Sequence, residues 1–397
     1  MKTAVFMVVA TCLASAAEAP ATLVTGDEAE PIHSAVVRQE AWTQDSVRRL
    51  RLDADRYMKE AGWSVTSDRP KGVNLDAHEY YSEAFDFWPD LSNPSGPYIR
   101  RAGQPNLALF SANRQALDSM CDAVFTLGTA AYLLDDARYA ARAAHLVQIW
   151  FIASKTRMDP NMDHAATIPG SAAAETLPGG LSEGRPLIRA IQGMEFLAKS
   201  GNWDPREEAA ARRWFEEYLH WLTPAPAPGA SLPRDGAVWR TALEAAAASF
   251  AQDDAAQRRI FNSYRGRYSP RTRAASASPS VQPLPLASTL EGQSIVCRIA
   301  QTHGVDLWSA ASRAGATIAN SLDALMAGLG DPKQWSKDQL AAFDSDGIYL
   351  MAFAGMGLNK PAYVAEYQKL EKPENAWLAL VDLLVGRWEA AAHQTRH

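Results

Sequence analysis

Apolar residues recur along most of this chain at the spacing of a helix face. Leu117, Met120, Cys121, Val124, Leu127 and Ala131 follow an i, i+3, i+4, i+7 rule. The Leu134 to Asp136 "LDD" then makes a short turn, and Tyr139, Ala143, Leu146, Val147 and Trp150 form the inward face of a second helix that ends at about Ser154. A short connection between two such helices predicts an antiparallel hairpin. The pattern returns over about 185–200 and again in "DPREEAAARRWFEEYLHWL", where Asp204 is placed to cap, Pro205 suits the first turn and acidic residues sit at the positive end of the helix dipole. Further helices are expected at about 236–250, 254–264, 289–302, 306–328, 336–345 and 374–394, and the segment 34–62 reads as charged and helical. No alternating strand pattern of useful length is present. The prediction is an all-α protein of helix hairpins set around an axis, with a cleft at one end and without the sharp period of a solenoid.

Four stretches interrupt the helices. Residues 79–106 are irregular and aromatic, and residues 150–170, "WFIASKTRMDPNMDHAATIPG", gather Arg157, Asp159, Asn161, Asp163 and His164 in a Pro- and Gly-bounded loop. The Pro/Ser/Ala-rich stretches 224–233 and 268–288 read as mobile loops within one core. The first residues, "MKTAVFMVVATCLASAAEAPA", have the lysine, apolar run and small residues of a secretory signal, with removal expected between Ala16 and Ala19. Residues 1–19 are therefore expected to be a signal peptide, and 20–397 one exported domain, periplasmic or secreted and monomeric.

The bulk composition narrows the partners. With 397 residues, 47% apolar and 21% charged, the chain can bury a large core. A net charge of −6 argues against nucleic acid, so a polyanionic partner needs a local basic groove. No later segment is apolar for long enough to span a membrane. Cys12 leaves with the signal, while Cys121 and Cys297 lie in apolar helical contexts and are expected to be two buried thiols. No metal-ligand spacing occurs, and no cofactor is expected.

Several blocks in order, Tyr80 to Asn106, "WFIASKTRMDPNMDHAATIPG", the "EGRPLIRAI" beginning at Glu183, and "HGVDLW" from His303 to Trp308, resemble the alginate lyase domain family. The resemblance runs from about Tyr80 to Trp308 or slightly beyond, with the matched core set at about 80–328. It implies an incomplete α/α toroid and β-elimination on a uronic-acid polymer such as alginate: a base removes the proton beside the carboxyl group, donors stabilise the charge, and an acid protonates the departing oxygen. In the family these parts sit mainly in an Asn-Asn-His segment followed by Trp and in an Arg-plus-Tyr helix. Here Trp239 falls on the Trp, but Arg234, Asp235 and Gly236 occupy the Asn-Asn-His positions. The turns that should carry Arg and Tyr read as deleted between Ala287 and Thr289, and Ala166 replaces an expected glutamine.

The resemblance makes His164 and Arg157 the catalytic candidates, with Arg157 on the substrate carboxylate. Tyr81, Trp88, Arg100, Asn161 and Trp239 are the substrate-binding candidates. Plainer readings stand beside these. Asp159, Asn161 and Asp163 suit a loop tied to itself, with Arg157 as a brace. Aromatic clusters such as Tyr80, Tyr81, Phe87 and Trp88 commonly build core, and Arg100 with Arg101 suits a solvated basic pair. Arg185 is expected to pair with Glu183, and His303 to sit at a helix end. Tyr264, Arg265, Arg267 and Tyr268 precede the deleted turns and offer a loosely held replacement. The functional expectation is a lyase with reduced or lost activity on acidic polysaccharide. The alternatives are a catalytically silent polysaccharide-binding protein and an inverting glycosidase using Asp159 or Asp163.

Overall fold

The computed structural model describes residues 21–101, 103–171, 180–223, 234–267, 283–311, 317–329 and 348–394. The signal segment, the stretch 224–233, most of the stretch 268–288 and the helix expected at 336–345 lie outside the described residues.

The segment 34–62, read as one helical run, holds parts of two helices. Helix α1, Gly26–Val37, opens on a capping box in which the Thr25 hydroxyl accepts from the Glu28 amide and the Glu28 carboxylate accepts from the Thr25 amide. Gln39 then adopts φ 57°, a left-handed conformation that ends the helix, and α2 resumes over Gln44–Tyr57. Asp135, at φ 51°, makes the equivalent reversal between α3, Ala112–Leu133, and α4, Ala137–Val147, whose Asp136 side chain accepts from the Arg138 amide. Helix α4 does not continue regularly to Ser154. It widens into a π-type turn over Gln148–Ile152, which seats Trp150 in the core and releases the chain at Ala153.

Helix α5, Pro186–Lys199, is buried on nearly every side from Leu187 to Leu197 and packs closely on α3. The crossing is made at two glycines: a Cβ on Gly128 would stand 2.0 Å from the Gly193 carbonyl oxygen, and one on Gly193 would stand 2.4 Å from Phe125 Cα. Backbone contact this close is possible only without side chains. The chain continues through α6 (Pro205–Leu222), α7 (Arg234–Phe250), α8 (Asp254–Arg267), α9 (Pro283–Thr302), α10 (Ile318–Leu329), α11 (Tyr349–Gly357), α12 (Pro361–Lys369) and α13 (Ala376–Gln394), with α7 packed on α5 and α13 on α2 and α3.

Two helix starts and one whole helix differ from the sequence reading. Helix α9 starts at Pro283, not at residue 289, because the two prolines at 283 and 285 fall in its first turn, where a missing amide costs nothing. Helix α10 starts at Ile318, not at 306, because the Asp306 carboxylate accepts from the Ser309 amide and hydroxyl and holds the chain in a turn. Helix α11 was not anticipated, since its residues from Tyr349 to Gly355 are all buried and show no polar face.

Four short strands also form. Strand β1, Tyr81–Glu83, pairs in parallel with β4, His164–Thr167, matching Tyr81 with His164; β2, Phe87–Trp88, pairs antiparallel with β3, Ile99–Arg100. They are too short to show a period. At the other end of the molecule, residues 21–25 are an integral part of the core. The Thr22 amide and hydroxyl donate to Glu195, the Leu23 and Val24 amides donate to Gln192 Oε1 at 2.9 Å each, and Arg298 Nε donates to the Leu23 carbonyl at 2.7 Å. One continuous hydrophobic cluster runs from Leu23 to Val385. Cys121 and Cys297 are free buried thiols. Among the described residues, no helix is long and apolar enough to cross a membrane.

Candidate active site

Helix α3 is apolar on every side but one. Arg114, Asp118 and Asp122 stand four residues apart, a spacing that aligns them in one stripe. That stripe forms one wall of a chamber of about 840 Å³. Arg185 and Arg189, at the same spacing on the start of α5, face it, and Asp122 Oδ1 accepts from Arg189 at 2.7 Å. Arg56 and Tyr57 of α2, the residues 84–86 beyond β1, Arg100, Ala166, Glu291, Tyr349 and the first residues of α13 complete the lining.

Glu183, in the tight turn before α5, fixes this geometry. Its Oε2 accepts from the Tyr80 hydroxyl at 2.8 Å and the Ser82 hydroxyl at 2.6 Å, and its Oε1 lies 3.4 Å from Arg114. Ser82 Oγ in turn accepts from the Ala166 amide at 2.8 Å. Ala166 has φ 55°, a conformation that a residue with a Cβ adopts at a cost, and the network around it holds it there. A loop and a strand far apart in sequence thus close one end of the chamber through a single carboxylate.

The chamber's charges are mostly matched. Arg56 pairs with Asp53 at 3.1 Å, Arg100 with Asp86 at 2.7 Å, Arg114 with Glu183 and Arg189 with Asp122. The Tyr349 hydroxyl donates to Glu291. Two groups stand apart. Arg185 has no carboxylate partner among the described residues: its Nε donates to the Ser182 carbonyl at 3.1 Å and its guanidinium lies 4.9 Å from the centre of the Trp239 ring. The expected Arg185–Glu183 pair does not form, because Glu183 is already committed to Arg114, Tyr80 and Ser82. Asp118 has no hydrogen bond or ion pair among the described residues, and its carboxyl is pushed up to about 6. Enclosure by the chamber walls is the main cause; the neighbouring Asp122 and Glu183 add to it, while Arg189 and Arg114 oppose it.

Of the residues chosen from the sequence, Arg100 lines the chamber. His164 lies two residues before the chamber-lining Ala166, with Nε2 3.4 Å from Glu79 Oε2. Arg157 is exposed, and its carbonyl is 2.6 Å from His78 Nδ1. Asn161 Oδ1 accepts from the Asp163 amide at 3.2 Å, while Asp163 Oδ1 accepts from Trp221 Nε1 and the Met158 carbonyl accepts from Trp214 Nε1. The loop is tied to itself and to α6. Tyr81 is only 4% exposed, packed against Phe110, so no ring face is open to a sugar. Trp239 is buried too, and acts as the floor beneath Arg185. Trp88 is half-buried, donates from Nε1 to the Gln104 carbonyl and carries the Arg101 guanidinium 5.5 Å from its ring centre.

His303 sits at the end of α9, 3.0 Å from Ser249 Oγ, and burial lowers its pKa. Tyr264 is buried with its hydroxyl 3.9 Å from Cys297 Sγ, and Arg265 reaches the Asp306 carbonyl; the side chains of Arg267 and Tyr268 lie outside the described residues. Sequence reasoning passed over Arg114, Asp118, Asp122 and Arg189. The signal was present as a charged residue at every fourth position of a helix that carries no other charge. Among the described residues, no group of three or more His, Cys, Asp or Glu side chains is placed to hold a metal ion.

A family model described as alginate lyase matches residues 64–273, more than half of the chain. It starts upstream of Tyr80 and stops short of the His303 to Trp308 block. Among solved structures, an alginate lyase from Bacteroides ovatus is similar with a TM-score of 0.77 and 24% identity, covering 92% of this chain and 99% of that one. An alginate lyase A1-III variant complexed with a tetrasaccharide is similar with a TM-score of 0.52 and 11% identity, over 82% of this chain and 89% of that one. No curated protein matches. The fold is the expected all-α, incomplete α/α toroid of helix hairpins.

Proposed function

The chain belongs to the alginate lyase family of polysaccharide lyases, and on that premise we propose that it takes a uronic-acid polymer into the chamber between α3 and α5. The observation that supports this most directly is Arg185. A guanidinium facing an open chamber without a carboxylate partner among the described residues, and stacked on a buried indole, is pre-set to receive a carboxylate in two-pronged fashion. The other chamber arginines already have acidic partners, so they shape the wall and leave one anion-binding position rather than a broad basic track.

Catalysis is reduced in this reading, because Arg234, Asp235 and Gly236 replace the amides and imidazole expected at those positions. The same replacement favours a second reading, a silent polysaccharide-binding protein. The glycosidase reading gains nothing from Asp163, whose carboxylate is taken by Trp221. His164, with Nε2 3.4 Å from Glu79 just before β1, is assigned to support of the β1–β4 edge rather than to proton transfer, and the exposed Arg157 to the loop surface rather than to the substrate carboxylate. We further assign residues 1–19 to a cleaved export signal and 20–397 to a single monomeric domain, released as a periplasmic or secreted protein.

The test is titration of the purified protein with alginate and with polyglucuronate, alongside ultraviolet detection of unsaturated chain ends. One polymer is expected to bind, and Arg185→Ala is expected to weaken it roughly 10- to 100-fold, the loss of one charge-assisted bidentate contact of about 1.5–3 kcal/mol. Absence of binding to either polymer, or unchanged binding by Arg185→Ala, would rule the reading out.

A further inference from the structure

We infer that Asp118, rather than a histidine or tyrosine, is the general base of this protein's elimination reaction. The inference rests on the uronate-binding reading given above, and it concerns the one chamber carboxylate without a hydrogen bond or ion pair among the described residues. Every other acid on the wall is engaged: Asp53 with Arg56 and the Ala376 amide, Asp86 with Arg100, Asp122 with Arg189, Glu183 with Arg114, Tyr80 and Ser82, and Glu291 with Tyr349. A carboxylate whose lone pairs are spent on guanidinium or hydroxyl donors is a poor proton acceptor. Among the described residues neither Asp118 oxygen has a partner, and Asp118 lies in the middle of the α3 stripe, one turn from Arg114 on one side and from Asp122 on the other.

Elimination needs two things at once: a cation to neutralise the substrate carboxylate, which acidifies the adjacent C–H, and a base at that hydrogen. The chamber supplies one uncommitted member of each kind, Arg185 and Asp118. With Arg185 on the uronate carboxylate, the Asp118 carboxylate takes the proton from C5. The C–H electron pair becomes the C4=C5 double bond, and the C4–O glycosidic bond breaks. The departing oxygen then takes the proton back from the Asp118 carboxyl, so the enzyme ends as it began and no oxidant, metal or water is consumed. A single group can do both transfers when the hydrogen and the leaving oxygen lie on one face of the ring.

The surroundings support this role. The groups facing Asp118 are Arg114 and Asp122 from its own helix, Arg189 from α5 and Glu183 from the turn before it; together with enclosure they place its carboxyl at about 6, within the range useful to a general base. A purely structural residue would show its partner, and Asp118 has none among the described residues.

The experiment compares the full-length protein with Asp118→Asn and Asp118→Glu on the polyuronate that binds, reading affinity, kcat, the pH profile and thermal unfolding. Asp118 makes no hydrogen bond or ion pair among the described residues and its ionised form is disfavoured by enclosure, so Asp118→Asn is expected to unfold at or somewhat above the wild-type temperature and to bind within a few-fold. Its kcat is expected to fall on the order of 100- to 10,000-fold and its acid limb to disappear. Asp118→Glu should recover part of kcat with a displaced acid limb. Wild-type kcat in Asp118→Asn overturns the inference. So does binding by wild-type protein without unsaturated ends, an outcome that leaves the polyuronate-binding reading standing; absence of any binding removes both.

Discussion

Gly193→Ala tests whether the α3–α5 contact sets the chamber. An added Cβ would meet Phe125 Cα at 2.4 Å, the Val124 carbonyl oxygen at 2.6 Å and the Phe125 amide nitrogen at 2.7 Å, all of them backbone atoms. No rotamer change relieves such a contact. Ordinary separation begins at 3.4 Å, so the two helices must part by about 1 Å, or tilt. Overpacking in a close-packed core costs about 1–3 kcal/mol, and displacement of two central helices falls at the upper end of that range. The displacement also reaches the site, because Arg189 lies one turn before Gly193 on α5 and pairs with Asp122, one turn before Phe125 on α3. Misplacing reacting groups by about an ångström costs on the order of a hundredfold in rate. Gly72→Ala is the control: it carries φ 77° but nothing stands within 4 Å of its Cβ position, so it costs about 1–2 kcal/mol of backbone strain and leaves the chamber untouched. Urea unfolding and polyuronate binding, measured on both variants, decide the matter. Equal stability losses with unchanged binding in Gly193→Ala would refute the claim that this crossing positions the chamber.

Two further perturbations test other parts of the fold. Burial raises the Glu195 carboxyl to about 7, against the opposing hydrogen bonds from Thr22, so the folded protein holds a proton there that the unfolded chain releases above about 4.5. Its contribution is therefore complete below about pH 4.5 and is lost as pH rises through about 7; Glu195→Gln should flatten this fall, by up to about 3 kcal/mol at pH 8, in urea midpoints compared at pH 5 and pH 8. Glu183→Ala should lower stability by about 2–4 kcal/mol and loosen Ala166, because it leaves Arg114 and the Tyr80 and Ser82 hydroxyls without their acceptor in a largely buried position. A loss below 1 kcal/mol in calorimetry would show that water replaces the carboxylate there.

The helical architecture was legible because its signal is local. A face such as Leu117, Met120, Cys121, Val124 and Leu127 repeats within a few turns, and Asp204 followed by Pro205 announces a helix start without reference to anything distant. What failed to show were elements lacking that contrast. Helix α11 is buried on all sides, and β1 to β4 are two to four residues each. The family resemblance led to the right fold; the family's reactive positions fall here on Arg234, Asp235 and Gly236 and on turns read as deleted, so the loop from Arg157 to His164 was left to supply the candidates.

The chamber is made instead by convergence across long separations. Glu183 gathers Tyr80, Ser82 and Arg114, and Arg185 meets Trp239, pairings that no local pattern encodes. One feature was nevertheless readable in principle. Charged side chains lose solvation when they face a helix core, so Arg114, Asp118 and Asp122 recurring every fourth position in an apolar helix must share an opening to solvent or to a ligand. An otherwise buried helix with one charged stripe is for that reason a stronger indicator of a site than a loop rich in Asp, Asn and His, whose side chains can satisfy one another. Here they are satisfied locally: Asn161 accepts from the Asp163 amide and Asp163 accepts from Trp221 of α6, whereas Asp118 on the α3 stripe has no hydrogen bond or ion pair among the described residues.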